Sequence, residues 1–167
     1  MKARTAGGLL ALGVVVLDQG SKLWLLDGLK MVDHERIVVT PFFDLILSWN
    51  PGISYSLFPQ TTETGRWALV ALTLAATILL ALWLWRTSGL IAGLALGAII
   101  GGALGNGFDR FAYGAVVDFC AFHAFGWYFY VFNLADTAIT LGVVALGYDS
   151  LFAERGARRP DLRPSGP

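Results

Sequence analysis

The sequence is short of charge, of cysteine and of histidine. Only 14% of its 167 residues are charged, against about 25% in an ordinary soluble domain. With 56% hydrophobic residues and a mean hydropathy of +0.62, this scarcity excludes a water-solvated globule and points to an integral membrane protein. A single cysteine, Cys120, excludes an internal disulfide, and two histidines, His34 and His123, are too few and too scattered for a metal centre. Neither a metal nor another cofactor is expected. A formal net charge of zero leaves no electrostatic footprint for nucleic acid, so the partners expected are membrane lipids and molecules held in lipid.

What the sequence has in abundance is long apolar runs. Residues 6–26, 67–85, 90–108 and 127–148 are each long enough to cross a hydrocarbon core of about 30 Å. The first follows Lys2 and Arg4 and begins like a secretory signal. No small-residue cleavage motif follows, however, and the apolar face resumes through Trp24 and Leu26, so a retained helix is expected. The third carries Gly93, Gly97, Gly101 and Gly105 at four-residue spacing, a face without side chains against which a neighbouring helix packs closely. A homodimer seam is the other meaning of such a face, but a four-helix bundle already needs close internal contacts, and a monomer is expected.

Residues 27–66 contain the runs RIVV (36–39) and FFDLILSW (42–49), with turn signals at Pro41 and Asn50-Pro51-Gly52, which predicts a small sheet. So long a connection is expected to form a functional surface or a lid. Phe42, Phe43, Trp49, Tyr55 and Phe58 suit a layer resting at the lipid headgroups. Residues 153–167 lack apolar periodicity and read as a disordered tail, leaving 1–152 as one domain.

Basic residues set the orientation. Lys2, Arg4, Arg86, Arg155, Arg158, Arg159 and Arg163 fall on one side of the membrane, outnumbering Lys30, Arg36, Arg66 and Arg110 on the side with the longer loops. The positive-inside rule then puts both termini in the cytoplasm and residues 27–66 and 106–126 together outside. Asp18, Lys22, Asn50, Asn106, Asp109, Arg110, Asp118, Asn133 and Asp136 all collect toward that outer end.

A carboxylate at the centre of a membrane helix costs roughly 2.5–3.5 kcal/mol on insertion scales, so these charges require partners or a purpose. Two carboxylates in a low-dielectric site cannot both ionise easily, and one stays protonated while the pair titrates as a unit. Asp118 and Asp136 are the candidates for such an acid and base; the alternative for each is a helix cap or a pair with Arg110. Asp136 is expected roughly 13 Å along the fourth helix from Trp127. Asn133 and Asp136, three apart, share a helix face, as do Asn106 and Arg110, four apart. Arg110 has three possible tasks: steadying a loop, bonding substrate carbonyls, or neutralising Asp109. Asp18 and Lys22 have the spacing of an ion pair at a helix end. Cys120 and His123 are three apart, but the flanking Phe119, Ala121 and Phe122 predict a short amphipathic helix in which the cysteine is a small hydrophobe and not a nucleophile.

Five motifs occur in order: Asp18-Gln19-Gly20-Ser21-Lys22, Asn50-Pro51-Gly52-Ile53-Ser54-Tyr55, Gly102-Ala103-Leu104-Gly105-Asn106-Gly107-Phe108-Asp109-Arg110, Val116-Val117-Asp118-Phe119 and Phe132-Asn133-Leu134-Ala135-Asp136. In these the chain resembles signal peptidase II, the bacterial lipoprotein signal peptidase family. The resemblance implies an all-α membrane protein of four transmembrane helices with a small extracytoplasmic β-sheet, or cradle, and a short extracytoplasmic helix. It implies an aspartyl endopeptidase of the bacterial inner membrane, with its site on the periplasmic side, that cuts a prolipoprotein before a cysteine carrying a diacylglyceryl group. By that match Asp118 and Asp136 are catalytic, Asn50, Asn106, Arg110 and Asn133 support the site or bind substrate, and Asp18 and Lys22 organise it. No metal is implied, and a cyclic peptide of the globomycin type is the expected inhibitor. Tyr55 stands where phenylalanine is usual and Gly107 where a bulky aliphatic is common. The competing classes are a proton-coupled transporter, which needs polar residues threaded through both halves of the bundle, and a scaffold, in which both aspartates are dispensable.

Overall fold

The computed structural model describes residues 2–52 and 62–157. Tyr55, Phe58 and the tail beyond residue 157 lie outside the described residues. Four helices are long and apolar enough to cross a membrane. Helix α1 (Ala3–Leu23) runs on into a π-helical turn over Trp24–Gly28, and it is followed by α2 (Glu63–Arg86), α3 (Leu90–Tyr113) and α4 (Leu134–Ala157). The backbone of α4 thus takes in residues 153–157, which the sequence reading had assigned to the tail.

Helix α3 is the axis of the bundle. Over its most apolar 18 residues 61% are buried, against 22% for α1 and 11% each for α2 and α4. The glycine face explains this position, because it is covered by α1. A Cβ on Gly97 would strike the backbone of Gly7, and one on Gly101 would come within 2.6 Å of the Ala11 carbonyl oxygen. Close backbone approach of this kind gives van der Waals contact where lipid supplies no hydrophobic drive between helices. At Gly107 the neighbour is α2: a Cβ would sit 3.1 Å from Thr73 Cγ2, so a side chain at this position crowds Thr73.

One antiparallel sheet caps the end of the bundle where α1 and α3 finish and α2 and α4 begin. Its strand order is β1 (Arg36–Thr40), β2 (Phe43–Asn50), β3 (Val116–Ala124), β4 (Trp127–Phe132). The expectation of a sheet within 27–66 holds for half of it. The other half comes from a stretch assigned from sequence to a short helix around 119–122 and to the start of the fourth span. No separate short helix stands among the described residues of that stretch. Val116-Val117 and Trp127-Tyr128-Phe129-Tyr130-Val131-Phe132 are β-branched and aromatic, which favours a pleated surface, and β3 finds a partner in β2, with Ser48 opposite Asp118 and Asn50 opposite Val116. The hairpin between β3 and β4 turns on Phe125 and Gly126, with φ of 52° and 79°. Positive φ at both positions is the geometry of a type I′ turn, usually signalled by Asn-Gly, and phenylalanine there hides the hairpin from sequence reading.

Under the sheet Leu25, Met31, Leu47, Val117, Phe119 and Cys120 form a core against which Phe43, Trp49 and Phe132 pack. Phe43 and Trp49 are partly buried against this core, while Phe42 is exposed.

Candidate active site

Helix α4 opens with a capping box. The Asn133 side-chain Oδ1 accepts the Asp136 backbone N–H at 2.9 Å, and Asp136 Oδ2 accepts the Asn133 backbone N–H at 3.4 Å. Each side chain satisfies a backbone donor that the first helical turn leaves orphaned. Asp136 therefore lies in the first turn of α4, and not 13 Å down a helix from Trp127, since residues 127–132 are strand. The cap also brings it to Asp118.

Asn133 is the joint. Fully buried, it donates from Nδ2 to Asp118 Oδ1 at 2.7 Å while holding Asp136 through the cap. Its Nδ2 also lies 3.1 Å from Asn106 Oδ1, and Asn106 Nδ2 donates to Asp136 Oδ1 at 2.7 Å. On the other side Asn50, at the end of β2, donates to Asp118 Oδ2 at 3.1 Å. Both carboxylates thus receive amide donors and no cation in direct contact among the described residues. Burial, and next the neighbouring Asp136 charge, raise the Asp118 pKa to about 7 although the Asn50 and Asn133 donors pull the other way. Asp118 consequently exchanges its proton near neutrality.

Behind the dyad lies a second layer. Lys22 Nζ is 2.7 Å from both Asp18 Oδ2 and Asp109 Oδ2, and all three side chains are almost wholly buried. The predicted Asp18–Lys22 pair is present, but Asp109 is neutralised by Lys22 and not by Arg110. This triad is wired into the backbone: Asp18 Oδ1 accepts the Ala135 N–H at 3.0 Å, and Asp109 Oδ2 accepts the Val117 N–H at 3.1 Å. Lys22 thereby fixes the helix that carries Asp136 and the strand that carries Asp118. Gln19, unassigned from sequence, supports the triad by donating to Asp109 Oδ1 at 2.9 Å.

Arg110 points the other way, donating to the Gly52 carbonyl at 2.5 Å and to the Asn106 carbonyl at 3.2 Å. Its Nε is buried without an acceptor among the described residues. Arg110, Asn50, Asn106 and Asp136 line a cavity of about 250 Å³ whose apolar wall includes Leu72 and Ile139. Asp136 also borders a second, more apolar groove of about 450 Å³ between β4 and α4, lined by Tyr130, Phe132 and Leu141 among others.

All nine polar residues that the sequence gathers at one end are found together there. Cys120 and His123 do not form a nucleophilic pair. They lie on a strand; burial first, then Asp118 and Asp136, push the Cys120 thiol up to about 11, and His123 sits against Asp44, with Nε2 3.2 Å from Oδ2. Sequence reasoning missed Asp44 and its partners Arg36, His123 and Tyr128, because they meet only when four strands are aligned.

The sequence matches a family profile described as Signal peptidase (SPase) II over residues 10–152. Curated proteins named lipoprotein signal peptidase from Methylocella silvestris and Beijerinckia indica are each 51% identical to it. The first match spans 94% of this chain and 92% of the relative, and the second spans 96% and 97%. A bacterial membrane enzyme solved by the in meso method at 2.3 Å superposes with a TM-score of 0.83 at 25% identity, covering 98% of this chain and 99% of that one. With a family match over most of its length, relatives of this identity and four membrane-spanning helices, the chain belongs to the signal peptidase II family of bacterial lipoprotein signal peptidases.

Proposed function

We propose that the protein is an aspartyl endopeptidase that hydrolyses the bond before the diacylglyceryl-modified cysteine of a prolipoprotein. The observation that carries this is the joint at Asn133, which ties Asp118 to Asp136, two carboxylates with no cation in contact among the described residues, and leaves Asp136 on the wall of a cavity. The helix N-terminus at Asp136 is a natural seat for an anion, whereas Asp118 holds a proton near neutrality. Asp136 takes a proton from water, the water oxygen attacks the scissile carbonyl carbon, and the Asp118 proton passes to the carbonyl oxygen. Collapse of the resulting diol returns a proton to Asp118, breaks the C–N bond and sends the proton held by Asp136 to the leaving amine. Arg110, whose Nε has no acceptor among the described residues, and Asn106 bond substrate carbonyls. Lys22 and Asp18 organise the dyad from behind.

The same reading puts both termini in the cytoplasm and the sheet on the periplasmic side, with a monomer as the working unit. The substrate's acyl chains stay in the bilayer, which delivers the scissile bond to the membrane surface and replaces a search in solution by positioning. Residues 27–66 act as a clamp over the site, and a globomycin-type cyclic peptide competes for it. A transporter would require a buried polar path through the bundle. Among the described residues the buried charges are Asp18, Lys22, Asp44, Asp109, Arg110 and Asp118, all at the sheet end.

The test is a gel-shift assay in detergent on a diacylglyceryl-modified prolipoprotein, comparing wild type with Asp118→Asn and Asp136→Asn. Cleavage by wild type and its loss in both folded variants is the expected result. Survival of cleavage in either variant overturns the dyad.

A further inference from the structure

Among the described residues Asn50 is the only donor to Asp118 that comes from the β1–β2 side of the site, and both polar atoms of its carboxamide are bonded. Its Oδ1 accepts the Gly52 backbone N–H at 3.0 Å. Its Nδ2 carries two hydrogens: it donates to Asp118 Oδ2 at 3.1 Å and to the Tyr130 hydroxyl oxygen at 2.8 Å. Tyr130 is on β4, two strands away from Asn50 in the sheet order, so its bond reaches across β3, the strand that carries Asp118. The ring of Tyr130 is also part of the wall of the apolar groove that opens at Asp136. One side chain thus touches both the groove and the amide that serves Asp118.

We infer that Tyr130 is a positioning residue for the hydrolysis: its hydroxyl holds the Asn50 amide in the orientation that donates to Asp118, while its ring shapes the groove beside Asp136. The hydroxyl and the ring have separable consequences. Loss of the hydroxyl frees the Asn50 amide to turn away from Asp118 and weakens a donor that favours the ionised carboxylate, so the proton is held more tightly. Among the described residues the charges that act on Asp118 are Asp136 and, with opposite sign, Lys22 and Arg110, and none is altered by this change. Loss of the ring opens the groove and weakens substrate binding.

This inference rests on the dyad reading, and the experiment separates the two. Steady-state cleavage of a diacylglyceryl-modified prolipoprotein peptide is measured across pH for wild type, Tyr130→Phe and Tyr130→Leu, with thermal unfolding of each. Tyr130→Phe is expected to lower kcat by roughly three- to tenfold, the worth of one neutral hydrogen bond, with KM unchanged and the limb governed by Asp118 moved to higher pH. Tyr130→Leu is expected to raise KM as well. An unchanged kcat in Tyr130→Phe overturns the inference, as does a fall in kcat with the limb in place or a lowered melting temperature with wild-type kcat and pH profile. If wild type itself fails to cleave, the dyad reading falls instead.

Discussion

The sheet carries two buried carboxylates that look alike in sequence and live in opposite surroundings. Asp44 on β2 meets Arg36 Nε at 2.8 Å, the Tyr128 hydroxyl at 3.1 Å and His123 Nε2 at 3.2 Å. Burial alone would raise its pKa, but Tyr128, Arg36 and His123 together outweigh burial and hold Asp44 below the usual carboxylate range. Among the described residues Asp118 on β3 has only amide donors; burial, and next the charge of Asp136, raise its pKa to about 7. A cation in contact turns one aspartate into a clasp that joins a residue from each of the four strands. The absence of such contact, with Asp136 nearby, leaves the other able to give and take a proton at physiological pH.

The sharpest way to break this contrast is to neutralise each carboxylate in turn. Asp118→Asn and Asp136→Asn are expected to cut the cleavage rate by about 10²–10⁴-fold or more, the range for a positioned acid or base, without lowering the melting temperature of the Asp118 variant. Asp44→Asn is expected to do the reverse, leaving kcat near wild type and lowering the melting temperature. If Asp44→Asn abolished cleavage as completely as Asp118→Asn, the division between clasp and dyad would collapse.

Lys22→Met tests the layer beneath. It leaves Asp18 and Asp109 buried without a cation, which costs about 3–5 kcal/mol for a broken buried pair. A lower melting temperature, partly restored by adding Asp109→Asn, is the outcome to look for in thermal unfolding. No restoration would mean that Lys22 acts on something other than this triad.

The smallest expected effect is on pH dependence. Asp118 has a folded pKa of about 7 against an ordinary value of 3.8, so its protonation favours the folded state. That stabilisation is complete below the ordinary value and is lost as pH rises through about 7. Melting temperature measured from about pH 5 to pH 8 should therefore fall more steeply for wild type than for Asp118→Asn. Cleavage should decline over the same limb as the acid is deprotonated. Parallel slopes for the two proteins would place the titration elsewhere.

Much of the site was legible as spacing. Asp18 and Lys22 are one helical turn apart, and their pairing needs only the helix. The three-residue spacing of Asn133 and Asp136 predicts a shared helix face, but Asn133 stands just before α4 as its cap, and the more informative signal is a helix start: an asparagine followed three residues later by a carboxylate before an apolar run. Hydropathy alone begins the fourth span at Trp127, because six aromatic and β-branched residues are as apolar as a membrane helix, whereas the helix starts at Leu134. Hydropathy cannot separate a buried strand from a span; a capping pattern can.

What the sequence determined by itself is therefore that there are four spans, that the glycine face of the third packs closely against a neighbouring helix, and which polar residues share one end of the bundle. These follow from helical period, length and the absence of side chains, all of which are local. What only the tertiary structure decided is the pairing. Asp109 turns to Lys22 and not to Arg110, Asp44 finds its cation while Asp118 finds amides, and Tyr130 reaches Asn50 across β3. The reason is that a charge's character is set by the few ångströms around it, and in a sheet assembled from two distant stretches of chain those neighbours come from strand register.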